Sequence, residues 1–229
     1  MTSAQSSFPE RLTKIDALTR VDHHYLREED NCFFLGEYTA RKGFAHSATN
    51  NLIMNFKKPM DRRGTAQWPH KAANIANAAR ALYKALNSSD LSGMTFVPVP
   101  PSKAKLDPMY DDRLMNLLQQ FSALICASNG YELNIRELVI QTSSSAAAHD
   151  GDARPSPPEL VARYAVNEAL LQNVRGRVVI CDDVLTTGSH YRAMCNVLGT
   201  HLPGISFRGL FLARRAPEAM DFSALFGEQ

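Results

Sequence analysis

The stretch that decides the fold lies at residues 178–189 and reads Val178-Val179-Ile180-Cys181-Asp182-Asp183-Val184-Leu185-Thr186-Thr187-Gly188-Ser189. Its first four residues are continuously apolar and mostly branched, which predicts a strand buried on both faces. Two adjacent acids follow, and a turn of small residues then leads into a helix that begins at Ser189. Ligands of open α/β sheets bind at the carboxyl ends of the strands, so this stretch predicts a binding site as well as a sheet.

Strands and helices alternate on both sides of this stretch. Apolar spacing predicts helices from Pro69 to about Leu86, from Leu114 to about Asn129 and from Ser189 to about His201. Short branched or aromatic runs predict strands at Thr95–Val99, Leu138–Ile140, Arg177–Cys181 and Ile205–Ala213. Alternation of this kind predicts an α/β fold, with helices flanking a parallel sheet.

The first third of the chain is predicted to be separate from this α/β core. Residues 1–19 are mostly polar, and we expect a flexible N-terminus or a short lead-in helix there. The runs Cys32–Tyr38 and Asn51–Phe56 are rich in aromatic or branched residues, and they predict two strands of a small antiparallel unit. The expected organisation is therefore a flexible N-terminus, a small N-terminal subdomain over residues 20–67 and an α/β core over residues 68–229.

Composition and charge narrow the class of protein. The chain has 229 residues, of which 45% are hydrophobic and 21% charged, values typical of a globular protein. Its net charge of +2 does not by itself indicate a nucleic-acid or membrane partner. Four widely spaced cysteines predict neither a zinc ribbon nor a disulfide framework. The polar N-terminus lacks the apolar run of a signal peptide, and we find no membrane-span pattern, so we expect a cytoplasmic protein without a membrane partner.

Residues 186–189 predict a phosphate site. Thr186, Thr187 and Ser189 supply hydroxyl groups, and Gly188 allows the backbone to approach a ligand closely. The amide groups at the start of a helix also favour an anion. Asp182 and Asp183 would repel a phosphate, so they require sugar hydroxyls or a divalent cation as partners. A phosphorylated ribose satisfies both halves of the site.

This arrangement resembles the phosphoribosyl-pyrophosphate motif of type I phosphoribosyltransferases, which is an apolar strand, two acids, two variable apolar residues, Thr-Thr-Gly, and Ser or Ala. The resemblance implies that the acids orient the ribose and that the loop binds the 5′-phosphate. The implied ligand-binding residues are Asp182, Asp183, Val184, Leu185, Thr186, Thr187, Gly188 and Ser189. Mg²⁺ is the implied cofactor, and Asp182 and Asp183 would meet it indirectly, through the ribose or water.

Within this family the chain is most similar to the ComF-like branch, through the segment Val97-Pro98-Val99-Pro100-Pro101-Ser102-Lys103. That similarity implies a pyrophosphate-binding set of Ser102, Lys103, Lys105 and Arg113. Asp111 and Asp112 stand just before the next helix, where acids favour the dipole, so we expect both to cap it. The zinc ribbon of the ComF-like branch is absent, and the resemblance covers about residues 94–213.

The segment Thr142–Pro158 is small, polar and rich in proline, and it is long for a connection without secondary structure. It occupies the position of the flexible catalytic loop of the family, which closes over the substrate and excludes water. The catalytic set implied by the resemblance is Asp182, Asp183, His149 and Arg154. Arg154 would bind pyrophosphate, and His149 would be an acid, a base or a phosphate contact. A solvated loop tip is the alternative for His149 and Arg154.

The sequence does not identify the molecule that would accept the phosphoribosyl group. By resemblance, residues 20–67 would be the hood that covers it, and they interleave basic and aromatic residues. Such a surface can bind nucleic acid, but half-buried strands with polar faces give the same pattern. The leading hypothesis is a Mg²⁺-dependent phosphoribosyltransferase that binds phosphoribosyl pyrophosphate and transfers phosphoribose to a nitrogen acceptor. One alternative is a non-catalytic sensor of nucleotides or phosphoribosyl pyrophosphate. The other is a ComF-like accessory protein associated with nucleic acid. Association into a homo-oligomer is compatible with each of these hypotheses.

Overall fold

The computed structural model describes residues 7–144 and 154–217. Its strands are β1 (Thr13–Lys14), β2 (Asn31–Tyr38), β3 (Met94–Pro98), β4 (Asn134–Ile135), β5 (Val139–Gln141), β6 (Tyr164–Val166), β7 (Arg177–Leu185) and β8 (Ser206–Arg215). Its helices are α1 (Ala17–Arg20), α2 (Ala48–Phe56), α3 (Pro69–Leu86), α4 (Arg113–Asn129), α5 (Pro157–Val161) and α6 (Ser189–His201). Short 3₁₀ turns lie at Met60–Arg62 and Glu168–Leu170.

Six strands form the main sheet in the order β1-β2-β8-β7-β3-β4, and every neighbouring pair except β1 and β2 is parallel. Strand β7 lies between β3 and β8. Ile180 of β7 is paired with Val97 of β3 and with Gly209 of β8. The Ile180 side chain is completely buried. The α/β fold with a mostly parallel sheet flanked by helices is therefore confirmed.

The helices pack in two groups. Helices α2, α3 and α4 contact one another in series, and α4 also contacts β3 and β7. Helix α6 packs with α5 and β6 instead. The helices expected at α3, α4 and α6 are confirmed, with Pro69 in the first turn of α3 and the left-handed Gly130 ending α4.

The strand expected at residues 51–56 is wrong, because these residues belong to helix α2. Ser47 begins the helix by accepting a hydrogen bond from the backbone N–H of Asn50 at 3.0 Å. Leu52, Ile53 and Phe56 are buried on one side of α2, at helical spacing. The expected antiparallel unit is also wrong, because β2 pairs in parallel with β8 in the main sheet.

Two more segments add pairings that the sequence did not indicate. Within residues 7–19, part of the terminus expected to be flexible or a short lead-in helix, lie β1, which pairs with β2, and most of helix α1, which Asp16 caps. Strand β5 does lie within the run expected at residues 138–140, but it pairs with β6 in a separate two-stranded sheet. In the part of the chain that the structure describes, no helix is both long and apolar enough to cross a membrane.

Candidate functional site

The two acids lie at the carboxyl end of β7, as predicted, and Asp183 is held by two cations. Its carboxylate accepts hydrogen bonds from Arg113 Nε at 3.0 Å and Nη2 at 2.6 Å, and from Lys57 Nζ at 3.3 Å. Burial alone would raise the pKa of Asp183, but the charges of Lys57 and Arg113 outweigh it and hold this pKa well below its usual range. Asp183 is therefore ionised and fully engaged within the protein.

The neighbouring acid, Asp182, has a different environment. Its side chain is partly exposed, and it accepts a hydrogen bond from the backbone N–H of Asp183 at 2.8 Å. Burial and the negative charge of Asp183 raise the pKa of Asp182 to about 7. Sugar hydroxyls or a cation beside Asp182 would favour its charged form, so Asp182 is the acid of the pair that can respond to a ligand.

Asp111 forms two further ion pairs, and one of them is with Arg113, the partner of Asp183. Asp111 Oδ2 lies 2.8 Å from Arg113 Nη1 and 2.7 Å from Lys71 Nζ. Burial lowers the pKa of Lys71, although Asp111 acts in the opposite direction. Lys71 also donates to the backbone carbonyls of Phe56 and Lys58. The network thus joins the end of α2, the start of α3 and the start of α4 to the acid pair.

This network adds ion pairs to the role expected of Asp111 and Asp112 at the start of α4. Asp111 is chiefly an ion-pair partner of Lys71 and Arg113. Asp112 stands at the capping position, but its side chain makes no capping hydrogen bond and contacts Asn116 instead. The Asp111 carboxylate serves both partners, because Oδ2 pairs with the two cations while Oδ1 accepts from the backbone N–H of Arg113, the first residue of α4, at 3.3 Å.

The turn from Thr186 to Ser189 has features that suit an anion. Gly188 adopts a φ of +85° and precedes α6, whose first amides donate to no capping side chain in the described part of the chain. The hydroxyl of Thr187 is buried without a hydrogen-bond partner in the described part of the chain. Unfilled amide donors and an unsatisfied hydroxyl are groups that a phosphate can satisfy.

An N-terminal segment supports this turn, and sequence reasoning missed it. Tyr25 donates its backbone N–H to the carbonyl of Thr187 at 3.0 Å, and His23 Nδ1 contacts the carbonyl of Thr186. A Cβ atom on Gly188 would lie 3.1 Å from the side chain of Leu26. His23 and Thr186 are 163 residues apart, so no local pattern reveals the contact.

The acid pair and the turn open into a cleft of about 200 Å³, which we call the inner cleft. Of the predicted site residues, it brings together Asp182, Asp183, Val184, Thr186, Ser102, Arg113 and Arg154. Leu185 lies in the hydrophobic core, and Thr187, Gly188 and Ser189 form the turn between Thr186 and His190, which both line the cleft.

The remaining predicted residues lie elsewhere. Lys103 lines a second, adjoining cleft, which we call the outer cleft. Lys105 lines neither cleft, and its Nζ lies 2.5 Å from a carboxylate oxygen of Glu137. His149 lies outside the residues that the structure describes, as do Asp150 and Asp152.

His190 is a cleft residue for which the sequence indicated no role. Its Nδ1 lies 2.8 Å from the hydroxyl of Tyr164, the first residue of β6. Burial lowers the pKa of His190 to about 4, so its ring is neutral near pH 7. A neutral imidazole has one donor and one acceptor nitrogen, and the Tyr164 contact uses one of them.

In residues 7–144 and 154–217 there is no cluster of three His, Cys, Asp or Glu side chains that could hold a metal ion. A scan against models of known protein families and a search of curated proteins each found no match to this chain.

Proposed function

We propose that this protein is a phosphoribosyltransferase that binds phosphoribosyl pyrophosphate in the inner cleft. The observation that carries the proposal is one juxtaposition at the carboxyl edge of the sheet. A partly exposed acid, Asp182, lies beside a helix start that has no capping side chain and a Thr187 hydroxyl that has no hydrogen-bond partner, both among the described residues. Cationic side chains of Arg113 and Arg154 line the same cleft. A ribose with a phosphate on one side and a pyrophosphate on the other suits these groups.

In the proposed reaction, a nitrogen of the acceptor forms a bond to C1 of the ribose. The bond between C1 and the pyrophosphate oxygen breaks, and pyrophosphate leaves with the electron pair, while the proton of the nitrogen passes to water. Asp182 would orient the ribose hydroxyls, and Arg113 and Arg154 would stabilise the charge that develops on the leaving group. Mg²⁺ bound to the sugar pyrophosphate would supply further charge neutralisation.

Calorimetric titration of phosphoribosyl pyrophosphate, with and without Mg²⁺, tests the binding step. We expect Asp182→Asn to weaken binding at least about tenfold, because an amide replaces a charged acceptor of hydrogen bonds. The matched control is Asp90→Asn, because Asp90 is exposed, accepts hydrogen bonds from its neighbour Ser92 and lines neither cleft. Absence of binding to the wild-type protein would overturn the proposal.

Release of pyrophosphate tests the transfer step. A panel of nucleobases and nucleotides is incubated with the protein, Mg²⁺ and phosphoribosyl pyrophosphate, and pyrophosphate is measured. Release that depends on both the acceptor and Asp182 would support catalysis. Binding without release from any acceptor would favour the alternative, a protein that senses phosphoribosyl pyrophosphate.

A further inference from the structure

The outer cleft is larger than the inner cleft and opens beside it. Its volume is about 610 Å³, within the range of small-molecule sites. One wall is formed by the end of α2 and the residues after it, and the opposite wall by the loop after β3. Arg113, Asp111, Val184 and Thr186 line both clefts, so a molecule in the outer cleft would face the reaction centre.

The lining of the outer cleft is strongly cationic. Four basic residues line it and not the inner cleft: Lys58, Arg62, Lys103 and Arg215. Among the described residues, no carboxylate lines the outer cleft alone. Asp111, the one acid in its lining, is already paired with Lys71 and Arg113. The cleft therefore has an excess of positive charge that its own acids do not balance.

Lys58 is the clearest sign of this excess. Its side chain is buried, and Nζ donates to Asn55 Oδ1 and to the carbonyl of Gln67, both at 2.9 Å. These are neutral acceptors, and no described carboxylate lies within ion-pair distance. By contrast, the equally buried Lys71 has Asp111. A buried ammonium without a counterion is costly, and an anion in the cleft would supply one.

The rest of the lining is apolar and partly aromatic. Tyr38 and Phe44 line the cleft, and 44% of Phe44 is exposed. Methionines Met54, Met60 and Met109 contribute flexible apolar surface. Aromatic faces stack on planar rings, and flexible thioethers adapt to their edges. A ligand that satisfies both parts of the lining carries an anionic group and a planar ring.

We propose that the outer cleft binds a nucleoside phosphate, which is the acceptor of the phosphoribosyl group. The phosphate contacts Lys58, Lys103 and Arg215, and the base lies against the apolar wall with a nitrogen toward the inner cleft. A free nucleobase would leave these cations without a partner. The inference rests on the proposed function for the transfer, but the binding site stands on the outer cleft alone.

The binding experiment separates the two clefts. The protein is first saturated with ribose 5-phosphate, which we expect to fill the inner cleft and which has no pyrophosphate to lose. The four ribonucleoside 5′-monophosphates and the corresponding nucleosides are then titrated calorimetrically. We expect at least one nucleotide to bind about tenfold or more tightly than its nucleoside, because only the nucleotide meets the cations. Equal affinities would overturn the proposal.

Variants of the lining identify where the nucleotide binds. We expect Arg215→Gln and Lys58→Met to weaken nucleotide binding about tenfold and to leave ribose 5-phosphate binding unchanged. Arg215→Gln keeps the test decisive if the buried Lys58 variant does not fold. The matched control is Arg80→Gln on α3, because Arg80 is exposed and lines neither cleft. Unchanged nucleotide affinity in Arg215→Gln would overturn the assignment.

Failure of the proposed function is distinguishable from failure of this inference. Nucleotide binding that depends on Arg215, without any binding of phosphoribosyl pyrophosphate, would support the outer site and overturn the transferase. A 5′-phosphorylated trinucleotide is titrated beside the mononucleotide. Tighter binding of the trinucleotide would identify the ligand as a nucleic-acid end, and tighter binding of the mononucleotide would identify a free nucleotide.

Discussion

Asp182 and Asp183 are adjacent in sequence but have opposite electrostatic environments. Alternate residues of a strand point to opposite faces, so the two carboxylates meet different neighbours. Asp183 meets Lys57 and Arg113, whereas Asp182 accepts a hydrogen bond from the backbone N–H of Asp183. One acid of the pair therefore stabilises the site, and the other is available to a ligand.

Asp182 is expected to make folding stability depend on pH. Its pKa is about 7 in the folded protein and 3.8 for an aspartate in an unfolded chain. Between about pH 4 and about pH 7 the folded state therefore binds more protons than the unfolded state. The free energy of unfolding therefore falls as the pH rises from about 4 to about 7. We expect Asp182→Asn to be more stable than wild type at pH 8 by about 2 kcal/mol, or about 4–8 °C in Tm.

Thermal unfolding at pH 5 and pH 8 checks this prediction. The advantage of Asp182→Asn should be smaller at pH 5, where the wild-type side chain is mostly protonated. Asp90→Asn is the control, because hydrogen bonds to Ser92 lower the pKa of Asp90 and it is ionised at both pH values. An advantage of equal size at both pH values would contradict the assignment to Asp182.

The Thr187 hydroxyl is expected to serve a ligand and not the fold, because it is buried and has no hydrogen-bond partner among the described residues. We expect Thr187→Val to weaken ribose 5-phosphate binding about tenfold while leaving stability unchanged or higher. Thr95→Val should do the opposite, because Thr95 Oγ1 accepts from the backbone N–H of Arg175 at 2.8 Å. Loss of this hydrogen bond should lower the free energy of unfolding by about 1–3 kcal/mol without affecting ribose 5-phosphate binding. Calorimetry and thermal unfolding of both variants measure the contrast, and a loss of stability in Thr187→Val would count against it.

Sequence reasoning located the residues of the motif better than their partners. Asp182, Asp183 and the turn through Ser189 were found because strand, acids, glycine and helix follow one another directly in the chain. The contacts of Asp183 with Lys57 and Arg113 span 126 and 70 residues. No local pattern encodes such contacts, and the same holds for the contact between His190 and Tyr164.

At the scale of elements, the position of α2 depends on a close approach to β2. A Cβ atom on Gly36 would overlap the hydroxyl of Thr49 in α2. We expect Gly36→Ala to push α2 away from β2 and to lower the free energy of unfolding by about 1–3 kcal/mol. Lys57 directly follows α2 and contacts Asp183, so ribose 5-phosphate binding should also weaken.

The partner substitution makes this prediction specific. Thr49→Ala removes the overlapping atoms, so the double variant should recover much of the stability that Gly36→Ala loses. Gly93→Ala is the control, because a Cβ atom there meets nothing within 4 Å. Thermal unfolding of the four proteins completes a double-mutant cycle. A double variant as unstable as the sum of the single variants would exclude the contact.

Elements with long periodic patterns were predictable, and α2 was not. Helices α3, α4 and α6 each repeat their apolar spacing over 13 or more residues. In α2 the six-residue run from Asn51 to Phe56 is too short to separate helical from strand spacing. The cap at Ser47 was the available signal, because serine is a favoured first residue of a helix.

At the scale of the whole molecule, the N-terminal third is part of the main sheet. Strand β2 lies between β1 and β8, so residues 31–38 pair with residues 208–215. Strands that follow one another in sequence usually lie together, and that rule favoured a separate N-terminal unit. Strand pairing across most of the chain follows from the complete arrangement and not from local sequence.

This pairing predicts that residues 68–229 do not fold alone. Such a fragment lacks β1, β2 and α2, so the edge of β8 and the faces covered by Phe34, Leu52 and Phe56 become exposed. An uncovered apolar edge strand associates with other chains. We expect the fragment to show no cooperative thermal transition and to aggregate in light scattering. The control is the full chain with its backbone cut once, after Gly64, in the exposed segment between α2 and α3. Both pieces are present in this control, and we expect their complex to unfold cooperatively. A monomeric fragment that unfolds cooperatively within a few degrees of the full chain would instead establish residues 68–229 as an independent domain.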